Sequence, residues 1–131
     1  MALTYEQAEK ALQAAMAKSR DLDAKMAFAV MDTGGRPIAI ARMTGAGAQT
    51  SIIAQGKARV SATFGALSGA TAERMPAGIQ ASMVAQSGGN LVFWQGAVPI
   101  REGDELVGAI GASGSNSEND EIAAQAGVDA I

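Results

Sequence analysis

The pairing of two short apolar runs across a glycine turn constrains this chain more than any other feature. Residues 25–32 (KMAFAVMD) and 36–43 (RPIAIARM) are joined by Thr33-Gly34-Gly35. Paired glycines reach the positive φ that a tight turn requires, so the two runs form an antiparallel hairpin. Pro37 has no N–H to give to a strand ladder, which puts it at the start of the second strand or on an unpaired edge. A hairpin cannot bury its own apolar face, and the rest of the chain has to supply helices that cover it.

Helical spacing stands on both sides of the hairpin. Thr4 followed three residues later by Gln7 is the capping-box arrangement, which satisfies the free N–H groups of a first turn. Ala8, Ala11, Leu12, Ala15 and Met16 then share one stripe of a helix running to about Arg20. Beyond the hairpin, residues 48–67 have helical spacing through Ile52, Ile53, Lys57, Val60 and Phe64. Gly56 and Gly65 inside that stretch cost roughly 1 kcal/mol each relative to Ala, which close packing against another backbone would explain. Residues 71–75 read as a short helical turn, and Pro76 opens a further helix over 77–85 that ends at Gly88-Gly89. Strands return at 90–94, 97–102 and 105–112, and Ser117 followed by Asp120 reads as the N-terminal cap of a last helix. This order predicts an α+β fold in a single domain over residues 1–131: a mainly antiparallel sheet of about five strands flanked by helices.

Small residues carry the packing, with 29 Ala and 16 Gly among 131 residues. They let elements approach closely but bury little apolar area each, so a homo-oligomer of four or more subunits is expected to complete the burial. The chain has no Cys and no His. Disulfides, thiolate nucleophiles, Cys-held zinc, the usual metal ligand and the usual base at neutral pH are all excluded, and neither a metal nor a cofactor is expected. Ten Lys and Arg against thirteen Asp and Glu give a net charge of −3, the wrong sign for a phosphate-neutralising surface, so no nucleic acid partner is expected. The N-terminal MALTYEQAEK lacks the basic and apolar parts of a signal peptide, and no run of about 18 apolar residues follows. A cytoplasmic protein with no membrane partner is expected.

Three blocks occur in sequence: FAVMDTGGRPIAIARMTGA, then GKARVSATFG, then AVPIREGDELVGAIGASGSNSENDEIAAQAGVDAI. Through them the chain resembles the GlcG/HbpS family from about Leu3 to Ile131, and it is similar to the C-terminal domain of PduO-type proteins. The resemblance implies a profilin-like α/β/α sandwich, assembly into homo-oligomers, and small-molecule binding, since the family includes haem-binding and corrinoid-associated proteins. Haem iron is ordinarily held by His, Cys, Met or Tyr. Only methionines and Tyr5 are on offer here, and Met43, on a strand, has core filling as its ordinary use, so haem is disfavoured.

Several residues carry candidate chemistry beside a plainer use. Arg42 closes the second strand and is a candidate for an anionic group, or else a solvated strand-end charge. Lys57 stands alone among small and apolar residues, as an anion contact or catalytic base if desolvated, or as a lysine whose ammonium reaches water. Asp32 is a candidate catalytic carboxylate whose plainer role is to bond the turn N–H groups. Glu118 and Asp120 favour the dipole of the last helix and become acid or base candidates only if an oligomer neighbour buries them. The glycine-rich run from Gly108 to Asn116, Gly111 and Ser113 included, offers backbone N–H groups to a ligand, or close packing to a helix. Phe93 and Trp94 can wall a flat ligand or fill a core or interface. The leading reading is a small-molecule-binding protein taking an anionic or conjugated ligand, with Arg42 and Lys57 converging on one pocket. The alternatives are a cofactor-independent lyase or isomerase acting on a small carboxylate-bearing substrate, and a purely structural assembly subunit.

Overall fold

The computed structural model describes residues 2–131. Among them, five helices surround a four-stranded sheet: α1 (Tyr5–Asp21), β1 (Ala27–Met31), β2 (Pro37–Arg42), α2 (Thr50–Phe64), α3 (Ser68–Arg74), α4 (Ala77–Gln86), β3 (Ala97–Glu102), β4 (Glu105–Ser113) and α5 (Ser117–Asp129). The strand order is β2-β1-β4-β3, antiparallel throughout. Both strand prolines, Pro37 and Pro99, lie on the edge strands, where a missing N–H costs no central ladder bond.

The capping box forms as the sequence reads: Thr4 Oγ1 accepts from the Gln7 N–H at 3.1 Å, and Gln7 Oε1 accepts from the Thr4 N–H at 2.9 Å. The stripe of α1 buries Ala8, Ala11, Leu12 and Ala15. These residues meet Phe28, Val30, Ile110 and Val98 on one face of the sheet, with Ala123 and Ala124 of α5 in the same cluster. The opposite face is thinner, since Ala29 and Met31 pack on Ala54 and Ala58 of α2. Every residue of β1 is buried, as a strand covered on both sides must be. The result is the α/β/α layering implied by the family resemblance.

The elements at residues 90–94 and at Gly65 depart from the sequence reading. Residues 90–94 are not a strand, so the sheet has four strands rather than about five. Their backbone bonds go elsewhere: the Val92 N–H donates to Gly56 O of α2, and the buried Ser68 hydroxyl of α3 donates to Trp94 O while accepting from the Ala97 N–H. Gly65 does not sit inside α2 but ends it, at φ +65° with its N–H on Ser61 O, the left-handed cap that glycine adopts without strain.

Close approach of α2 to β4 positions everything that follows. A Cβ at Gly111 would collide with the Ala54 carbonyl oxygen and lie 2.9 Å from Ala58 N. Gly111 therefore serves the close packing of α2 on β4, the plainer of its two expected uses. We predict that Gly111→Ala destabilises the fold by about 1–3 kcal/mol, the range for forcing a methyl into a packed layer. Urea unfolding measures it, and an unchanged midpoint would show that α2 yields freely.

Candidate functional site

The centre of the site is Lys57, carried on the middle of α2 and 2% exposed. With the helix pressed onto β4, its stem runs along the layer boundary and its ammonium ends between β4 and α5. Nζ donates to Ala112 O at 3.0 Å and to Asp120 Oδ2 at 3.0 Å. Both side chains of the ion pair are 3% exposed. The second Asp120 oxygen accepts from the Ser115 N–H at 2.9 Å.

Two backbone features make room for the pair. Gly96 has φ +144°, and a Cβ there would stand 2.7 Å from Lys57 Nζ and 2.8 Å from Ala112 O. Asn116 rather than Ser117 is the N-cap of α5, its side chain accepting from the Asn119 N–H at 2.8 Å. That start turns Asp120, in the first helical turn, inward toward Lys57. Burial pushes the Asp120 carboxyl above its ordinary value, with the Lys57 charge and the Ser115 N–H pulling the other way.

The pair forms the floor of a cavity of about 360 Å³, whose walls are Ile53, Val92 and Trp94 on one side and Ser113, Ser115 and Ser117 on the other. Ser113 is 7% exposed, and its hydroxyl has no hydrogen-bond partner among the described residues. Ser117 Oγ donates to Gln95 Oε1 at 3.1 Å. Trp94, 63% exposed, stands at the rim. The arrangement offers hydroxyl donors and a desolvated cation beneath a flat aromatic face.

The fold does not bring the other sequence candidates here. Arg42 ends β2, an edge strand separated from β4 by β1, whereas Lys57 meets Ala112 of β4. Its Nη1 donates to Ala46 O at 2.7 Å, and it lines a separate groove with Met16, Arg20, Lys25 and Met43. Arg42 and Ser113 both pair with Ala27, yet within one chain Arg42 and Lys57 line separate cavities and do not converge. Asp32 Oδ1 accepts from the Gly34 and Arg36 N–H groups at 2.9 and 3.0 Å, and Oδ2 pairs with Arg36 Nε at 3.1 Å. Slight burial pushes this carboxyl up, but the two backbone bonds and then the guanidinium outweigh it and hold the group below its ordinary value. It is a turn residue, at the Met31 end of β1, away from Ala27, which pairs with Ser113. Phe93 is buried, its ring 6.1 Å from that of Phe64, and lines the neighbouring grooves rather than this cavity.

Asp120 is the residue that sequence reasoning undervalued: its own chain buries it, with no neighbour needed, while Glu118 stays exposed. The sequence carries a clue in the solitary Lys57, since a buried ammonium requires an anion from some other element.

The sequence matches the family described as "Haem degrading protein HbpS-like" over residues 3–129. The chain belongs to this family. Solved structures similar to this HbpS-like chain include a double mutant of HbpS from Streptomyces reticuli, 27% identical with a TM-score of 0.88 over 100% of this chain and 88% of that one. PduOC in complex with haem is 22% identical with a TM-score of 0.90, covering 100% and 96% of the two chains. Protein ORFY of Klebsiella pneumoniae is 22% identical with a TM-score of 0.89, covering 98% and 89%. No curated protein matches the sequence. Among the described residues, no helix is long and apolar enough to cross a membrane.

Removing one partner of a buried pair strands the other charge, whereas replacing both with apolar groups is close to neutral. Lys57→Met and Asp120→Leu should each destabilise this HbpS-like domain by about 3–5 kcal/mol, and the double variant should recover most of that loss. Chemical unfolding of the four proteins completes the cycle, and additive single losses would mean the two groups do not interact.

Proposed function

We propose that this chain is a small-molecule-binding protein that receives an anionic, planar ligand in the Lys57 cavity and works as a homo-oligomer of four or more subunits. The observation that carries the reading is the unpartnered hydroxyl of the nearly buried Ser113, which opens onto the same cavity as a buried ammonium. Among the described residues no buried side-chain oxygen or nitrogen lacks a partner, so the Ser113 hydroxyl is open to the cavity and available to an anion beside the Lys57 cation. The ligand anion would accept from Ser113 and from the remaining N–H of Lys57, near the N-terminal end of α5, whose dipole favours negative charge. Its flat part would lie on Trp94, with Ile53 and Val92 as apolar walls. A cavity of about 360 Å³ suits a small ligand, and a larger one would extend past Trp94 over the rim.

Asp120 gives binding a pH dependence whose sign follows from its position. A second anion beside Lys57 opposes the Asp120 charge and raises further a pKa that burial already holds up. Binding is then coupled to proton uptake, so affinity for a permanently ionised ligand strengthens as pH falls.

The family description and the PduOC complex bring haem into consideration. The residues lining the Lys57 cavity, none of them His, Cys, Met or Tyr, do not fit its iron. The chain has no His or Cys. Met43 Sδ accepts from the Met26 N–H at 3.5 Å, and both Met43 and Met16 pack against the core. The Tyr5 hydroxyl donates to Glu9 at 3.0 Å, and that bond, with the Glu9 charge, pushes the phenol pKa up, away from the phenolate that iron prefers.

One observation favours the second reading, a cofactor-independent lyase or isomerase acting on a small carboxylate-bearing substrate. The raised Asp120 carboxyl and the Lys57 ammonium form an acid–base pair at a cavity floor, the placement proton transfer requires. Deuterium exchange at the methyl carbon of pyruvate in heavy water, lost in Lys57→Met, would favour it.

The binding reading is tested with 1-anilinonaphthalene-8-sulfonate, an aromatic anion ionised across the range used. Its fluorescence titration should show affinity rising from pH 8 to pH 5 and falling about tenfold in Ser113→Ala, the effect of one lost hydrogen bond to a charge. Binding indifferent to both would overturn the reading. Haem titration should give no six-coordinate spectrum that Met43→Ala abolishes, and such a spectrum would restore a thioether ligand.

A further inference from the structure

Residues 75–100 (MPAGIQASMVAQSGGNLVFWQGAVPI) carry no charged side chain in a chain of net charge −3. Within them α4 buries none of its residues, and Ile79 is 51% exposed. A helix of 10 residues is shorter than the ~12–15 that even favourable isolated sequences need in water. It has no side-chain N-cap, no acidic first turn and no basic last turn to compensate. Its tether to the domain is Gln80, whose Nε2 donates to the carbonyls of Ala72 at 2.8 Å and Met75 at 2.9 Å. Between α4 and residues 91–94 lies an apolar groove of about 600 Å³, walled by Ala81, Val84, Leu91, Val92 and Trp94. Trp94 belongs at once to this groove and to the Lys57 cavity.

We infer that a second copy of this chain docks on the α4 face, setting its own 75–94 segment in the groove and closing the outer wall of the Lys57 cavity at Trp94. The inference rests on the homo-oligomer reading above, names the face, and gives the neighbour a part in the site. A second copy of the chain is present wherever the chain is, so it can cover α4 without any other molecule. Two chains of like net charge repel, and the neutral stretch is the part of the surface where they meet without opposing charges. A twofold contact sets one patch against itself, and this patch has both parts of a self-complementary pair: Ile79 projecting and the groove receiving.

Sedimentation velocity and fluorescence of the full chain test this, because Trp94 is the one tryptophan. The wild type should sediment as a multiple of 13.2 kDa, with Trp94 emission blue-shifted and protected from acrylamide although the single chain leaves it largely open. Ile79→Asp, and Met83→Asp one turn further along α4, should each lower the particle mass by about twofold or more and shift emission to the red, as expected for a broken isologous contact. Ser113→Ala should leave the mass unchanged, so a wild-type assembly that binds no anilinonaphthalenesulfonate sinks the pocket reading and spares this one. Three results would overturn the inference: freely quenched Trp94 in the wild type, whatever the variants do; an assembly whose mass and emission survive both aspartates; or a 13.2 kDa particle whose Trp94 is protected only on adding phosphatidylcholine vesicles.

Discussion

A single ion pair sealed from water, Lys57 with Asp120, ties three layers of the structure together. Lys57 belongs to α2, its carbonyl acceptor Ala112 to β4, and Asp120 to α5. Taking two charges out of water costs several kcal/mol per ion, and only close geometry with further hydrogen bonds offsets it. Both are present: the 3.0 Å contacts of Nζ and the Ser115 N–H on the second carboxylate oxygen. Any register of α2 that moved Lys57 away from Asp120 would leave two buried charges unmatched, so the pair disfavours alternative packings.

The small-residue composition is the condition for that geometry. A side chain at Gly96 would occupy the space of the ammonium, and one at Gly111 would push α2 off the sheet. Alanines on β1 and α2 bring the layers close enough for a lysine stem to lie flat between them. The same composition limits how much apolar surface one chain can bury. The thin side of the sandwich and the uncovered α4 are thus two consequences of one choice of residues.

Local chemistry was legible in the sequence, and long-range placement was not. The Thr4–Gln7 box, the hairpin, the edge position of Pro37 and the Asp32 turn bonds each depend on residues within a few positions of one another. The stretch 90–94 has strand composition, yet α2 and α3 claim its backbone groups through Gly56 and Ser68, partners about thirty residues away that no local pattern announces. Lys57 was recognisable because a lone charge among alanines stands out. Its partner was not, since Asp120 in a first helical turn has an adequate local explanation in the helix dipole. Arg42 stays out of the Lys57 cavity because its guanidinium turns to Ala46 O in the loop that follows its own strand and lines another groove.

The pair that orders the fold is also the floor of the cavity, and this limits how the site can work. A ligand anion that draws on Lys57 competes with Asp120 for a contact on which three layers depend. Tight capture through the ammonium alone would therefore loosen the domain, unless the carboxylate takes up a proton or other donors share the new charge. Ser113 and the first turn of α5 are placed to share it, and the raised Asp120 carboxyl is suited to accept the proton. The arrangement favours a ligand held by several modest contacts and released by a change in proton balance over one fixed by a single strong bond.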